Sequence, residues 1–321
     1  MNYYVGIDLG GTNIKGMIMN DQFQTVISRS SHTPYKQPPA TTFSVIIDLI
    51  ESMVISSTLN LLDVVGIGIG IPGLIDCRRN FVFNAANLGW IDVDAGSVIQ
   101  EYFKKSVYTE NDGNINVLGE MHFGAGIGAK NIILLTIGTG LGSGFILDGK
   151  LLHGASHVAA EAGHMVIESD GTQCSCGKFG CFESCCSGTA LKRYARNFAL
   201  ENPGTLLLQY AGGDPKSITG EIIDKAFDAG DYAARQVIDV FTNKLSIGIV
   251  NLINLFNPEM IIISGGVSKS GDRILDPTRR LVESSLMHPI QHCNIVSGVL
   301  GTNAGVMGAC MLVSENEQLV K

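Results

Sequence analysis

The 321-residue chain has one tryptophan, nine prolines and no run of basic residues. Its 22 Lys and Arg are outnumbered by 30 Asp and Glu, giving a net charge of −8. A surface without a positive stripe is not built to hold nucleic-acid phosphates, so no nucleic-acid partner is expected. No charged, apolar leader precedes the first strand-like segment, Tyr3-Tyr4-Val5-Gly6-Ile7, and the location is read as cytoplasmic. Long hydrophobic runs are also missing. The longest, around residues 245–256, is interrupted by Ser246, Asn251 and Asn254, which suits a packed helix and excludes a membrane span. The Gly-Lys-Ser/Thr of a Walker loop is absent.

Glycine, in contrast, is abundant. Thirty-nine glycines are nearly twice the average share of roughly 7% and imply many tight turns and close backbone approaches. Apolar periodicity predicts strands at 5–9, 14–19, 25–29 and 64–71, with a helix over 43–54 between the last two. A second series starts near residue 132: strand 132–137, a Gly-Thr-Gly turn, a strand over 144–147, and later a long helix feeding strand 260–264. Residues 31–42 read as an exposed loop, and 112–125 and 304–313 as helices. Two halves that each open with strand, Gly/Thr turn, strand predict a duplicated α/β fold with a cleft between the copies. The expected domains are 1–116 plus 304–321, and 117–303.

Asp8-Leu9-Gly10-Gly11-Thr12 has the chemistry of a hairpin that wraps polyphosphate. Glycines let backbone N–H groups approach phosphate oxygens, the Thr12 hydroxyl adds a donor, and Asp8 is placed to organise waters around magnesium. Gly138-Thr139-Gly140 offers a second clamp, and Gly265-Gly266 a place for a nucleotide base or ribose to pass the backbone. Asp112 lies just before the predicted connecting helix and is the candidate base that takes a proton from an attacking hydroxyl, with Asn111 gripping that hydroxyl. The alternative is that Asp112 only caps the helix.

His164, Cys174, Cys176 and Cys181 supply one imidazole and three thiolates, a set that suits a closed tetrahedral zinc site. Glu161 and Glu183 flank it and would be held where they grip a polar small molecule. Cys77, Cys293 and Cys310 are expected to be small buried hydrophobes, and Cys185 and Cys186 core residues. His32, His122, His153, His157, His288 and His292 show no ligand spacing among themselves and read as surface or satisfied core positions.

Asp8-x-Gly-Gly-Thr12, Pro72-Gly73, Asn111-Asp112, Gly138-Thr139-Gly140, Glu161-x-Gly-His164, the Cys-x-Cys-Gly-x-x-Gly-Cys-x-Glu string and Gly265-Gly266-Val267 together resemble the ROK family of repressors and sugar kinases. The match runs in order through nearly the whole chain. Asn84 to Trp90 makes it most similar to the bacterial glucokinases of that family. The resemblance implies an actin-like, ribonuclease H-like two-domain ATPase fold, with MgATP as donor and a hexose 6-hydroxyl as acceptor. It implies that Asp112 is the base, that Asn87, Asn111, Glu161, His164 and Glu183 contact the sugar, that zinc is structural, and that the protein is a homodimer. Glu110 and Gly113 stand where Asp and Ala are more usual, and Ala162 replaces a larger residue. These departures leave open glucose against mannose, fructose, allose or an N-acyl hexosamine such as N-acetylmannosamine or N-acetylglucosamine.

Overall fold

The computed structural model describes residues 2–288 and 290–319. Its strands are β1 (Tyr3–Leu9), β2 (Asn13–Asn20), β3 (Thr25–His32), β4 (Val64–Ile71), β5 (Leu74–Asp76), β6 (Phe81–Ala85), β7 (Trp90–Asp94), β8 (Ser106–Asn111), β9 (Ile132–Ile137), β10 (Leu141–Leu147), β11 (Lys150–Leu151), β12 (Met260–Ser264) and β13 (Asn294–Ser297). The helices are α1 (Pro39–Ser56), α2 (Ser97–Phe103), α3 (Asp112–Phe123), α4 (Phe182–Cys186), α5 (Gly188–Glu201), α6 (Leu206–Tyr210), α7 (Gly220–Asp228), α8 (Tyr232–Phe256), α9 (Asp272–Ser285) and α10 (Ala304–Leu319).

Two five-stranded sheets have the same plan. One runs β3-β2-β1-β4-β8, the other β11-β10-β9-β12-β13. In the first, β1 pairs antiparallel with β2 and parallel with β4, and β4 is parallel to β8. In the second, β12 is parallel to both β9 and β13. The turns at 10–12 and 138–140 therefore occupy equivalent places, after the first strand of each sheet. This repeated order is the duplicated actin-like α/β fold. Its inner strands are mainly apolar, as parallel strands covered on both faces are: Ile132 to Leu135 and Ile261 to Ile263 are all buried.

The chain divides into two compact units, 1–130 with 144–160 and 299–321, and 131–143 with 161–298. The boundary expected at residue 116 lies inside α3, which packs on α10 and stays in the first unit. Residues 1, 320 and 321 of the expected first domain lie outside the described residues.

In the first unit, α10 lies directly on β1, β4 and α3. Close approach requires glycine there: a methyl at Gly68 would collide with the Ala309 carbonyl, and one at Gly308 with the Ile115 carbonyl. The small sheet β5-β6-β7 was not foreseen; its Trp90 is buried against Phe43, ring centroids 5.4 Å apart. Helix α1 is long and apolar enough to cross a membrane by length and composition. Its Phe43, Ile46, Leu49, Ile50 and Met53 are instead part of the first unit's core.

Candidate active site

In the first unit, the β1–β2 turn is closed by Gly10 N–H donating to Asn13 O at 3.0 Å. Thr33 fastens it from outside, its Oγ1 donating to Gly10 O at 2.7 Å and its N–H to Thr12 O at 2.9 Å. Gly11 and Thr12 are left exposed, and Asn87, on the β6–β7 turn, lies beside Gly11. Asp8 points its carboxylate at Gly305 in the first turn of α10, where a methyl would collide with it. The positive end of a helix favours an anion there.

Asp112 opens α3 but does not cap it. Asn111 is the N-cap, its Oδ1 accepting from Gly113 N at 2.8 Å and Asn114 N at 3.4 Å. Its Nδ2 donates to Gly73 O at 2.9 Å, so the expected hydroxyl-gripping amide is partly committed to holding the strand-to-helix junction. The Asp112 carboxylate accepts a 3.0 Å hydrogen bond from Gly113 N. Burial holds its proton affinity above the usual carboxylate range. Burial, and then the charge of Asp112, push Asp8 up to about 7, with Lys15 opposing. Lys15 itself donates to Thr302 O at 2.8 Å.

In the second unit, Gly138 N–H donates to Gly140 O at 2.9 Å, and Gly188 N–H donates to Gly138 O at 2.7 Å. The N-terminus of α5 is thereby set against this turn. Gly265 has φ 87°, and a methyl there would press on the Ile137 backbone, so the turn after β12 sits at the end of β9. A cavity of about 540 Å³ opens at this point, lined by Gly138, Thr139 and Gly266 with the starts of α5 and α7, Lys192, Asp224 and Lys269. Two helix N-termini around one cavity suit anionic phosphate. The composition of Gly-Thr-Gly and Gly-Gly turns signalled this place; Lys192, Asp224 and Lys269 carried no local signal.

The four metal-donor residues come together as expected. One donor atom from each of His164, Cys174, Cys176 and Cys181 lies within 4.8 Å of the others. Cys174 Sγ is 3.7 Å from His164 Nδ1, and Cys176 Sγ is 3.6 Å from Cys181 Sγ. Tetrahedral zinc bonds would place sulfur pairs about 3.8 Å apart and sulfur–nitrogen pairs about 3.6 Å apart. The donor set can hold a metal. Glu183 is engaged on both oxygens: Oε2 accepts from Leu141 N at 3.0 Å, and Oε1 from Ser175 Oγ at 3.0 Å. It ties the metal loop to the residue after the Gly138–Gly140 turn. Glu161 precedes the short helical turn that carries His164, and Ala162 N–H anchors that turn on Ser143 Oγ at 3.1 Å.

Residues 4–316 match the ROK family. The chain belongs to the ROK family. Within it, a glucokinase of Halalkalibacterium halodurans is 37% identical over 98% of this chain and 96% of its own length. A xylose repressor of Caldicellulosiruptor bescii is 32% identical over 96% of this chain and 77% of its own length. A ROK glucokinase from Streptomyces griseus, solved with glucose and AMPPNP, superposes with a TM-score of 0.81 at 33% identity, covering 98% of this chain and 100% of that one.

Proposed function

We propose that this ROK protein is an ATP-dependent hexose kinase that transfers the γ-phosphate of MgATP to the 6-hydroxyl of glucose, with Asp112 as general base. The observation that carries the reading is Asp112 itself: a half-buried carboxylate at the start of α3, where Asn111 is the N-cap, with its proton affinity raised by desolvation. Such a group is suited to accept the hydroxyl proton as the sugar oxygen bonds to phosphorus and ADP leaves. Likeness to glucokinases, one of them solved with glucose and AMPPNP, supports the same reading.

The other residues position and neutralise. Backbone N–H groups at Gly11 and Thr12 and at Thr139 and Gly140 hold phosphate oxygens, Gly10 and Gly138 closing the two turns with their own N–H groups, while Gly265 and Gly266 let the nucleoside pass along the cavity wall. Asn87, Asn111, Glu161, His164 and Glu183 bind ring hydroxyls; Glu183 also holds the loop, each of its oxygens accepting one bond and keeping a second lone pair. Asp8 holds the waters of a magnesium ion, which when bound supplies charge neutralisation at the phosphates. Zinc on His164, Cys174, Cys176 and Cys181 supplies rigidity, all four positions being filled by protein donors.

Glucose- and Mg²⁺-dependent release of ADP tests the assignment. A purified protein that released no ADP with glucose, mannose, fructose, allose or the N-acyl hexosamines would overturn it. Asp112→Asn should lower kcat by several orders of magnitude while sugar still binds. A variant that kept a tenth of the rate would remove Asp112 from the role. The likeness to a xylose repressor favours one alternative, sugar binding without transfer, which saturable sugar binding with no ADP release would reveal.

A further inference from the structure

Three side chains that read as ordinary in the sequence meet in the first unit. Cys77 follows β5 directly, and His153 and His157 lie in the segment after β11. Cys77 is half-buried, where a fully buried small hydrophobe was expected, and its Sγ is 3.1 Å from His157 Nδ1. The two imidazole rings have centroids 5.3 Å apart. One donor atom from each of the three residues lies within 4.8 Å of the other two. The spacing gave no warning, because Gly154 rules out a helical i,i+4 pair and Cys77 comes from a distant turn.

The surroundings are those of a ligand set. His153 Nε2 is 2.6 Å from Glu110 Oε2, and the Glu110 side chain is 4% exposed. Glu110 is itself fixed, its Oε1 accepting from Asn111 N at 2.8 Å and Asn114 Nδ2 at 3.0 Å. The carboxylate fixes the ring through Nε2, the arrangement that orients metal-binding histidines. His157 takes a left-handed backbone, φ 60°, to reach this place. Its Nε2 is buried without a hydrogen-bond partner among the described residues.

We propose that Cys77, His153 and His157 form a second metal site, taking a thiophilic divalent cation of the zinc class, with a fourth position open to water or an exogenous ligand. One thiolate and two imidazoles suit zinc, cobalt, nickel or copper and discriminate against magnesium and calcium. Binding breaks the Cys77 S–H bond, forms a metal–sulfur bond and releases the proton to solvent. The present 3.1 Å between sulfur and nitrogen is a hydrogen-bonded separation; with the ion in place it opens to about 3.6 Å. The ion would tie the turn after β5 to the 153–157 segment and, through Glu110, to the backbone N–H of Asn111, beside Asp112. Occupancy is thus a lever on the junction where α3 begins. The site shares no donor with the His164/Cys174/Cys176/Cys181 cluster, and its detection does not depend on any kinase activity.

The test is metal counting on the full chain after chelation and refilling with zinc. The wild-type protein should hold about two ions per chain, and Cys77→Ser about one. Cobalt refilling of a variant with Cys174, Cys176 and Cys181 all changed to Ser, which leaves no thiolate in the other cluster, should still give a thiolate-to-cobalt absorption band, and that band should vanish on adding Cys77→Ser. His157→Gln serves as a second probe should the cysteine variant fail to fold, and it too should lose one ion. A single ion in the wild-type protein, or two retained in both variants, overturns the proposal. So does a Cys77 thiol that is alkylated at the same rate with and without zinc.

Discussion

Asp8 and Asp112 lie close enough for the charge of Asp112 to raise Asp8, on top of the larger effect of burial. The unfolded chain sheds the Asp8 proton near 3.8 and the folded one near 7, so between those values the folded protein binds more protons. Stability from the neutral folded carboxyl is therefore full below about pH 4 and is lost as pH rises to about 7, by up to roughly 4 kcal/mol. In nucleotide- and metal-free buffer, Asp8→Asn should raise the urea midpoint at pH 8 and leave it little changed at pH 4. A variant equally affected at both would show that the carboxyl is not protonated in the fold. The side chains legible in sequence were those whose partners are close along the chain: the three cysteines and His164 lie within residues 164–181. Glu110, Glu183 and His153 act through partners 43, 42 and 43 residues away respectively, and no local spacing encodes such pairs. Asn111 lay between these cases, because Asn ahead of an acidic first turn is a helix-cap signal, and it transfers the capping role away from Asp112.

At the scale of elements, the inner strands and their turns were legible because glycine and apolar runs mark them locally. The sheet β5-β6-β7 escaped, since its short strands mix exposed and buried positions: Trp90 to Asp94 has one buried residue in five. The fit of α10 also escaped, because it depends on glycines from β1, β4 and α3 facing a helix far along the chain. Gly68→Ala should cost about 1–3 kcal/mol by overpacking against the Ala309 carbonyl. Gly204→Ala, which meets nothing within 4 Å, should shift stability by less than about 0.5 kcal/mol in the same chemical unfolding experiment. The metal loop is coupled to the Gly138–Gly140 turn through Glu183. Cys176→Ser should therefore raise KM for sugar and nucleotide together in steady-state kinetics, with the smaller effect on kcat. A rise confined to the sugar would show that Glu183 does not transmit the loss.

Over the whole molecule, ligands that bind only the folded protein raise its apparent stability by mass action, about 2.7 kcal/mol at a hundredfold excess over Kd. A thermal-shift panel should therefore rank hexoses by affinity, and hydrogen exchange should show an adenine nucleotide protecting residues 138–140 and 265–268 of the second unit. Protection absent from these turns would move the nucleotide elsewhere. The two units also interleave along the chain, since the second is nested between segments of the first. Helix α10 covers strands β1 and β4, yet a ribosome makes those strands long before it. At about 5–20 residues per second, the earliest-made sheet waits on the order of ten seconds or more for its covering helix. The nested unit can finish folding first, and nascent chains stalled ahead of residue 304 should expose a sticky β1–β4 face for chaperones to shield.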